Sequence, residues 1–127
     1  MRQLQNAAAL VGLCGALGLA TSALAEQTVS EITVLGKAKA PAAETLSYKV
    51  GYADLDLRYK AGRDKLNKRI MLTARYLCRK LGETDKASYN ECRDRTVKDA
   101  MPAARAAAQA AIASNTFKRG PTWTAPH

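Results

Sequence analysis

The chain has 127 residues, with 20 lysines and arginines against 11 aspartates and glutamates, which gives a net charge of +9. This length suits one small domain. His127 is the only histidine, so no serine-histidine-acid triad or histidine-rich metal site can be assembled, and the chain has no glycine-rich phosphate loop. We therefore predict a protein that is not an enzyme and has no cofactor.

Residues 1–25 have the pattern of a secretory signal peptide. Arg2 is followed by an uncharged apolar run over residues 7–20 and by an Ala-Leu-Ala site that ends at Ala25. The run is too short for a convincing membrane span, and a lipoprotein signal at Cys14 is disfavoured because Leu13 precedes it. We predict export, to the periplasm or to the extracellular space, and no transmembrane segment in the mature chain.

The next segment, residues 26–45, is predicted to be a flexible linker that could contain one short strand. Its second half is rich in Ala, Lys and Pro without apolar periodicity, while Ile32 and Val34 suggest an extended stretch. Alternation then begins at Leu46 and predicts a half-buried strand. The apolar positions change parity at Leu55 and Leu57, so this strand either has a bulge near Gly51 or ends around Asp54.

From about Lys60 the apolar period becomes helical, and Gly82 is placed to end this first helix. Ser88 and Glu91 fit a capping box that would begin a second helix, which could continue to about Ser114. Pro102 predicts a kink or a restart in it. Residues 115–127 are predicted to be irregular.

The inner face of the first helix is predicted to carry Leu66, Ile70, Thr73, Ala74, Leu77 and Leu81, and that of the second helix Tyr89, Cys92, Thr96, Ala100, Ala104, Ala107 and Ala111.

Cys78 and Cys92 lie in the last turn of the first helix and the first turn of the second. Helices joined by a short polar connection fold back on each other and bring these ends together. We predict a structural disulfide. The alternatives are a redox pair, for which the usual spacing is C-x-x-C, and a metal site, which would lack two of its ligands.

Two charged features are candidate sites. Asp54 and Asp56 share a face if the backbone is extended, which is the minimum for a carboxylate-pair hydrolase. The favoured interpretation is that they end the strand and cap or electrostatically favour the following helix. The first helix is strongly basic on the side opposite its apolar stripe, where it could bind anionic lipid or polysaccharide or simply be solvated. Nucleic acid is the less favoured anion because no aromatic residues are interleaved with the basic ones. The residues of this candidate anion-binding face are Lys65, Lys68, Arg75 and Arg79.

The order of these features resembles the UrcA family, small exported bacterial proteins of uncharacterised function. The resemblance covers about residues 48–112 and implies export, paired cysteines and a largely helical domain, with no catalytic residues to carry over. The chain departs from the family pattern at Arg58-Tyr59-Lys60, at Thr73 and Thr96, and at Pro102. The matching residues are Tyr52, Ala53, Asp54, Leu55, Asp56, Leu57, Ala61, Gly62, Leu66, Arg69, Ile70, Ala74, Cys78, Cys92 and Ala100.

These observations predict a mainly α protein: an antiparallel helical hairpin stapled by a disulfide over residues 46–114, preceded by one short extended strand and the flexible linker. The predicted function is a small binding or accessory protein of the cell envelope. The alternatives are a module that self-associates through Leu72, Tyr76 or the alanine-rich helix, and a hydrolase that uses Asp54 and Asp56.

Overall fold

The computed structural model describes residues 30–39 and 44–127 as two strands followed by two helices. Strands β1 (Glu31–Lys37) and β2 (Thr45–Gly51) form an antiparallel sheet, and one face of this sheet packs against the hairpin of helices α1 (Lys60–Lys80) and α2 (Lys86–Ser114). The fold is mixed α/β with helix predominant. The predicted signal peptide lies outside the described residues.

The short strand that the linker of residues 26–45 could contain is present as β1, so residues 31–37 belong to the sheet. Ile32 and Val34 are buried and alternate with exposed neighbours, and they pair with Val50 and Tyr48 of β2. Burial of these two side chains on the helices stabilises the strand. Leu35 obscures the alternation in the sequence because it lies on the solvent-facing side of the sheet, 45 % exposed.

Strand β2 has the predicted alternation and ends at Gly51, in unbroken register with β1. The chain then turns, and the amide of Leu55 donates to the carbonyl of Tyr52 at 2.9 Å. This turn accounts for the change of parity: Leu55 and Leu57 are both buried although neither belongs to a strand. No bulge is present.

Helix α1 confirms the predicted apolar face, of which Leu66, Ile70 and Leu77 are almost completely buried. The helix ends where Gly82 adopts a φ of 76°, a left-handed conformation that glycine takes without a steric penalty. The position of this glycine therefore predicted the end of the helix correctly.

Helix α2 differs from the prediction at its start and at its proline. Its N-cap is Asp85, whose carboxylate accepts from the amide of Ala87 at 2.9 Å, so Ser88 lies in the first turn and is not the cap. The helix continues through Pro102 without a restart. Pro102 is exposed, so water can reach the backbone around the missing hydrogen bond.

The predicted disulfide is confirmed. Cys78 and Cys92 are bonded with their Cα atoms 5.9 Å apart, and both are buried between the two helices. On α2 the buried positions are Cys92, Thr96, Ala100, Ala104 and Ala108, while Tyr89, Ala107 and Ala111 are only half-buried. Within residues 30–39 and 44–127, no helix has the length and apolar character needed to cross a bilayer.

Candidate functional site

Asp54 forms an almost buried ion pair with Arg69 of α1. Both carboxylate oxygens accept from the guanidinium, at 2.7 and 2.6 Å, and the side chains of Asp54 and Arg69 are only 10 % and 14 % exposed. The guanidinium also donates to the carbonyl of Gly51 at 2.7 Å. Arg69 therefore fastens the end of β2 and the segment after it to the first helix. Bidentate pairs of this kind are among the stronger hydrogen-bonded contacts in proteins.

The C-terminal tail, residues 116–127, contains no helix or strand but packs against the same cluster. The amide of Gly120 donates to the carbonyl of Ala53 at 2.8 Å, and Arg119 donates to the carbonyl of Asp54 at 3.2 Å. Trp123 stacks on the guanidinium of Arg69, 5.3 Å from its ring centroid. The tail thus covers the ion pair and is part of the folded domain.

Asp56 is paired with a different arginine, its near neighbour Arg58. The two contacts measure 2.9 and 2.7 Å, and the backbone amide of Arg58 also donates to the carboxylate. Arg58 reaches further, to the carbonyl of Asn115 just beyond α2. Neither aspartate caps α1, whose N-cap is Tyr59 without a side-chain hydrogen bond. The predicted capping of this helix by an aspartate is therefore wrong.

Gly62 allows the Asp56 segment to lie directly on α1. A Cβ atom at Gly62 would be 2.1 Å from the carbonyl oxygen of Asp56, far inside van der Waals contact. The residues that resemble the family motif thus have structural roles here: two aspartates held by arginines, two buried leucines and a glycine that permits close packing.

The two aspartates are electrostatically unsuited to paired acid and base chemistry. The hydrogen bonds from Arg69 lower the pKa of Asp54, and those from Arg58 lower the pKa of Asp56. A general acid that works near neutral pH needs a raised pKa, so both shifts are in the wrong direction. Burial raises the pKa of the neighbouring Tyr52, which keeps its hydroxyl protonated.

The predicted basic face is present on α1 as a line of four exposed cations. Lys65, Lys68, Arg75 and Arg79 follow one another at intervals of three, seven and four residues, with Leu72 in the central gap. They span about 21 Å along the helix. Within the described part of the chain, no ion pair or hydrogen bond reaches the charged side chain of any of the four. By contrast, Asp64, the one acidic residue of α1, is already paired with Lys60 at 2.6 Å.

Apolar side chains accompany this basic face. Leu72 is 38 % exposed, and the ring of Tyr76 contacts that of Tyr48 edge-on, with the centroids 6.1 Å apart. The amine of Lys80 lies 5.6 Å from the centroid of Tyr76. Tyr76 is therefore engaged within the domain, and Leu72 is the apolar residue of this face that remains available to a partner.

A groove of about 470 Å³ separates the first half of α1 from the second half of α2. Its floor consists of Leu66, Met101 and alanines, and Arg63 is one of its basic lining residues. The guanidinium of Arg63 already donates to the carbonyls of Leu57 and Arg58. The groove therefore has an apolar floor and cations that are mostly engaged within the domain, which makes it a weaker candidate than the basic face.

Among the described residues, no group of three or more histidine, cysteine or acidic side chains could hold a metal ion. Sequence reasoning counted Arg69 among the basic residues of α1 but did not predict its pair with Asp54, and it did not predict the docking of Trp123. The separations along the chain are 15 and 54 residues, so no local periodicity reports either contact. Comparisons of the chain with protein-family models, curated proteins and solved structures found no match.

Proposed function

We propose that this protein is a small, non-enzymatic binding protein of the bacterial cell envelope, which engages anionic partners through the basic face of α1. The observation that carries the proposal is a line of four exposed cations to which the described residues supply no acidic partner, with Leu72 at its centre. Surface cations that lack internal partners are free to neutralise a partner's phosphates or carboxylates.

Export is the second part of the proposal. The pattern of residues 1–25 and the buried disulfide both favour an oxidising compartment outside the cytoplasm. The resemblance to UrcA proteins points in the same direction. In such a compartment the abundant anions are lipid headgroups, lipopolysaccharide and acidic polysaccharide.

A hydrolase is the less favoured function because Asp54 and Asp56 each form a salt bridge with an arginine. Their lowered pKa values make them counterions for the fold. A structural role predicts that substitution of either aspartate changes stability, whereas a catalytic role predicts loss of an activity with the fold intact.

The test is binding to vesicles of phosphatidylglycerol and phosphatidylcholine, and to lipopolysaccharide, over a salt series. One variant carries Gln at Lys65, Lys68, Arg75 and Arg79. A matched control carries Gln at Lys86, Lys98, Arg105 and Lys118, four exposed cations elsewhere on the chain. A basic residue near an anionic surface contributes about 1 kcal/mol, so the first variant should bind roughly a thousandfold more weakly at low salt.

The control variant should lose much less affinity, because its four positions do not form one line. Binding by the wild-type protein should also fall steeply as salt is added. Equal losses in the two variants, or binding that is insensitive to salt, would rule out the basic face as the site.

A further inference from the structure

Among the residues that the structure describes, the β2 edge of the sheet is partly covered and the β1 edge is open. The amide of Tyr52 donates to the carbonyl of Ser30, and the amide of Ala38 donates to the carbonyl of Glu44. Hydrogen-bonded and non-hydrogen-bonded pairs alternate along an antiparallel ladder, so these two bonds identify the even-numbered residues of β1 as the ones bonded to β2. The alternate residues of β1 therefore turn their amides and carbonyls away from β2. Within residues 30–39 and 44–127, no hydrogen bond reaches these backbone groups, which belong to Glu31, Thr33, Leu35 and Lys37.

The outer edge of β2 is in a different state. The indole of Trp123 donates to the carbonyl of Lys49 at 3.1 Å, and Arg69 donates to the carbonyl of Gly51. The tail and α1 thus satisfy the outward carbonyls in the second half of that edge. An open edge with regular geometry, such as that of β1, is a ready template for another strand.

The helix layer is wider than the sheet on the side of this open edge. Two helices side by side cover about 20 Å, whereas two strands cover about 10 Å. Helix α1 packs against both strands, but α2 packs against β1 and not against β2. Helix α2 therefore extends beyond the edge of β1. Helical spacing places exposed alanines on the side of α2 that faces away from α1, namely Ala103, Ala106 and Ala110.

We propose that the open edge of β1 is a docking site for an extended segment of a partner protein, which adds a third strand to the sheet. Its backbone would pair with the outward groups of β1. Alternate side chains of the added strand would lie over the alanines of α2, where the small residues leave room for large apolar groups. This surface is distinct from the basic face of α1, and the proposal does not depend on the function proposed above.

The charges of β1 specify the direction and chemistry of the partner segment. Glu31 and Lys37 lie at equal distances from Val34, both on the solvent-facing side. The carboxylate of Glu31 already contacts the amine of Lys49 of β2 at 3.6 Å, but its two oxygens can accept from a second cation as well. An antiparallel partner of seven residues should therefore begin with an acidic residue, opposite Lys37, and end with a basic one, opposite Glu31. Its second, fourth and sixth side chains should be apolar, because these positions face α2.

A second copy of the folded domain does not fit the site. Pairing two β1 strands about a twofold axis would place both α2 helices beneath the same strands, about 5 Å apart, which is closer than helices pack. An isolated extended segment brings no helix and avoids this clash.

The probe is a labelled peptide with the sequence of residues 30–38, SEITVLGKA, which has the required order of charges, apolar side chains at the second and fourth of its seven pairing positions and a glycine at the sixth. A peptide with its glutamate and lysine exchanged is the composition-matched control. We expect the protein as purified to bind the first peptide at least tenfold more tightly than the second. Hydrogen exchange should show protection of the Thr33 and Leu35 amides when the first peptide binds.

Two proline variants locate the site. Leu35 and Ser47 are cross-strand partners, and the amide of each faces its own outer edge. Leu35→Pro removes a donor from the open edge and should weaken peptide binding at least tenfold, whereas Ser47→Pro removes one from the other edge and should leave binding unchanged. Circular dichroism establishes that each variant is folded. If Leu35→Pro does not fold, the exchange pattern of the wild-type protein decides the question.

Several results would overturn the proposal. These are no binding at millimolar peptide, equal binding of the two peptides, equal effects of the two proline variants, and protection on β2 in place of β1. A dimer of the protein that protects the β1 amides would refute the steric reasoning against a second copy.

Discussion

Gly62→Ala should have two opposing effects on the free energy of unfolding. Gly62 is in the first turn of α1, where alanine would ordinarily stabilise a helix by about 1 kcal/mol. Here, however, the added Cβ would lie 2.1 Å from the carbonyl oxygen of Asp56. The oxygen belongs to backbone, so no side-chain rotation relieves the overlap, and the segment must move by about 1.3 Å to reach ordinary contact.

That movement would affect the core. Leu55 and Leu57, on either side of Asp56, are 7 % and 2 % exposed. Overpacking of this kind costs up to about 3 kcal/mol. After the gain in helix propensity, we expect Gly62→Ala to lower the free energy of unfolding by about 2 kcal/mol. For a domain of this size, that corresponds to a fall of roughly 8–16 °C in Tm.

The assay is thermal and urea unfolding followed by circular dichroism. Ala61→Gly is the matched control, because Ala61 is the exposed neighbour of Gly62 and its substitution changes only the local helix propensity. The free energy of unfolding of that control should fall by no more than about 1 kcal/mol. If Gly62→Ala were as stable as the wild-type protein or more so, close packing on Asp56 would not be the reason for a glycine at this position.

The other predictions concern the contacts that hold the domain together. Reduction of the Cys78–Cys92 bond opens a loop of about 15 residues and should cost about 3 kcal/mol, which unfolding with and without reductant would measure; an unchanged Tm would contradict the structural role. Asp54, whose pKa is lowered in the fold, stabilises the protein above its ordinary pKa of 3.8, and this contribution is lost as the pH falls through the lowered value. Asp54→Asn should therefore be less stable at pH 7 and should lose less stability between pH 5 and 2; parallel stability curves for the two proteins would argue against the ion pair. Trp123→Ala should release the tail and speed tryptic cleavage after Lys118, and unchanged cleavage would show that the indole does not hold it.

Local patterns in the sequence predicted the helical hairpin well. The spacing of Leu66, Ile70 and Leu77 identified the buried face of α1, and Gly82 identified its end. These signals are local because a helix closes its hydrogen bonds within four residues. The disulfide followed from the hairpin, since antiparallel helices bring Cys78 and Cys92 together. The helical period also predicted the basic face of α1, because a helix that buries one side exposes the other.

Contacts between distant residues were decided by the tertiary structure alone. β1 becomes a strand because β2 and the helices bury Ile32 and Val34, whereas its seven residues alone indicated only that the linker could contain a short extended stretch. Arg69 contacts Asp54, and Trp123 stacks on Arg69, only after the chain has folded back on itself. The sequence by itself thus determined two helices, their bond and their charged face, through interactions within a few turns. The sheet, its open edge and the Asp54–Arg69 pair depend on long-range packing, which no local pattern records.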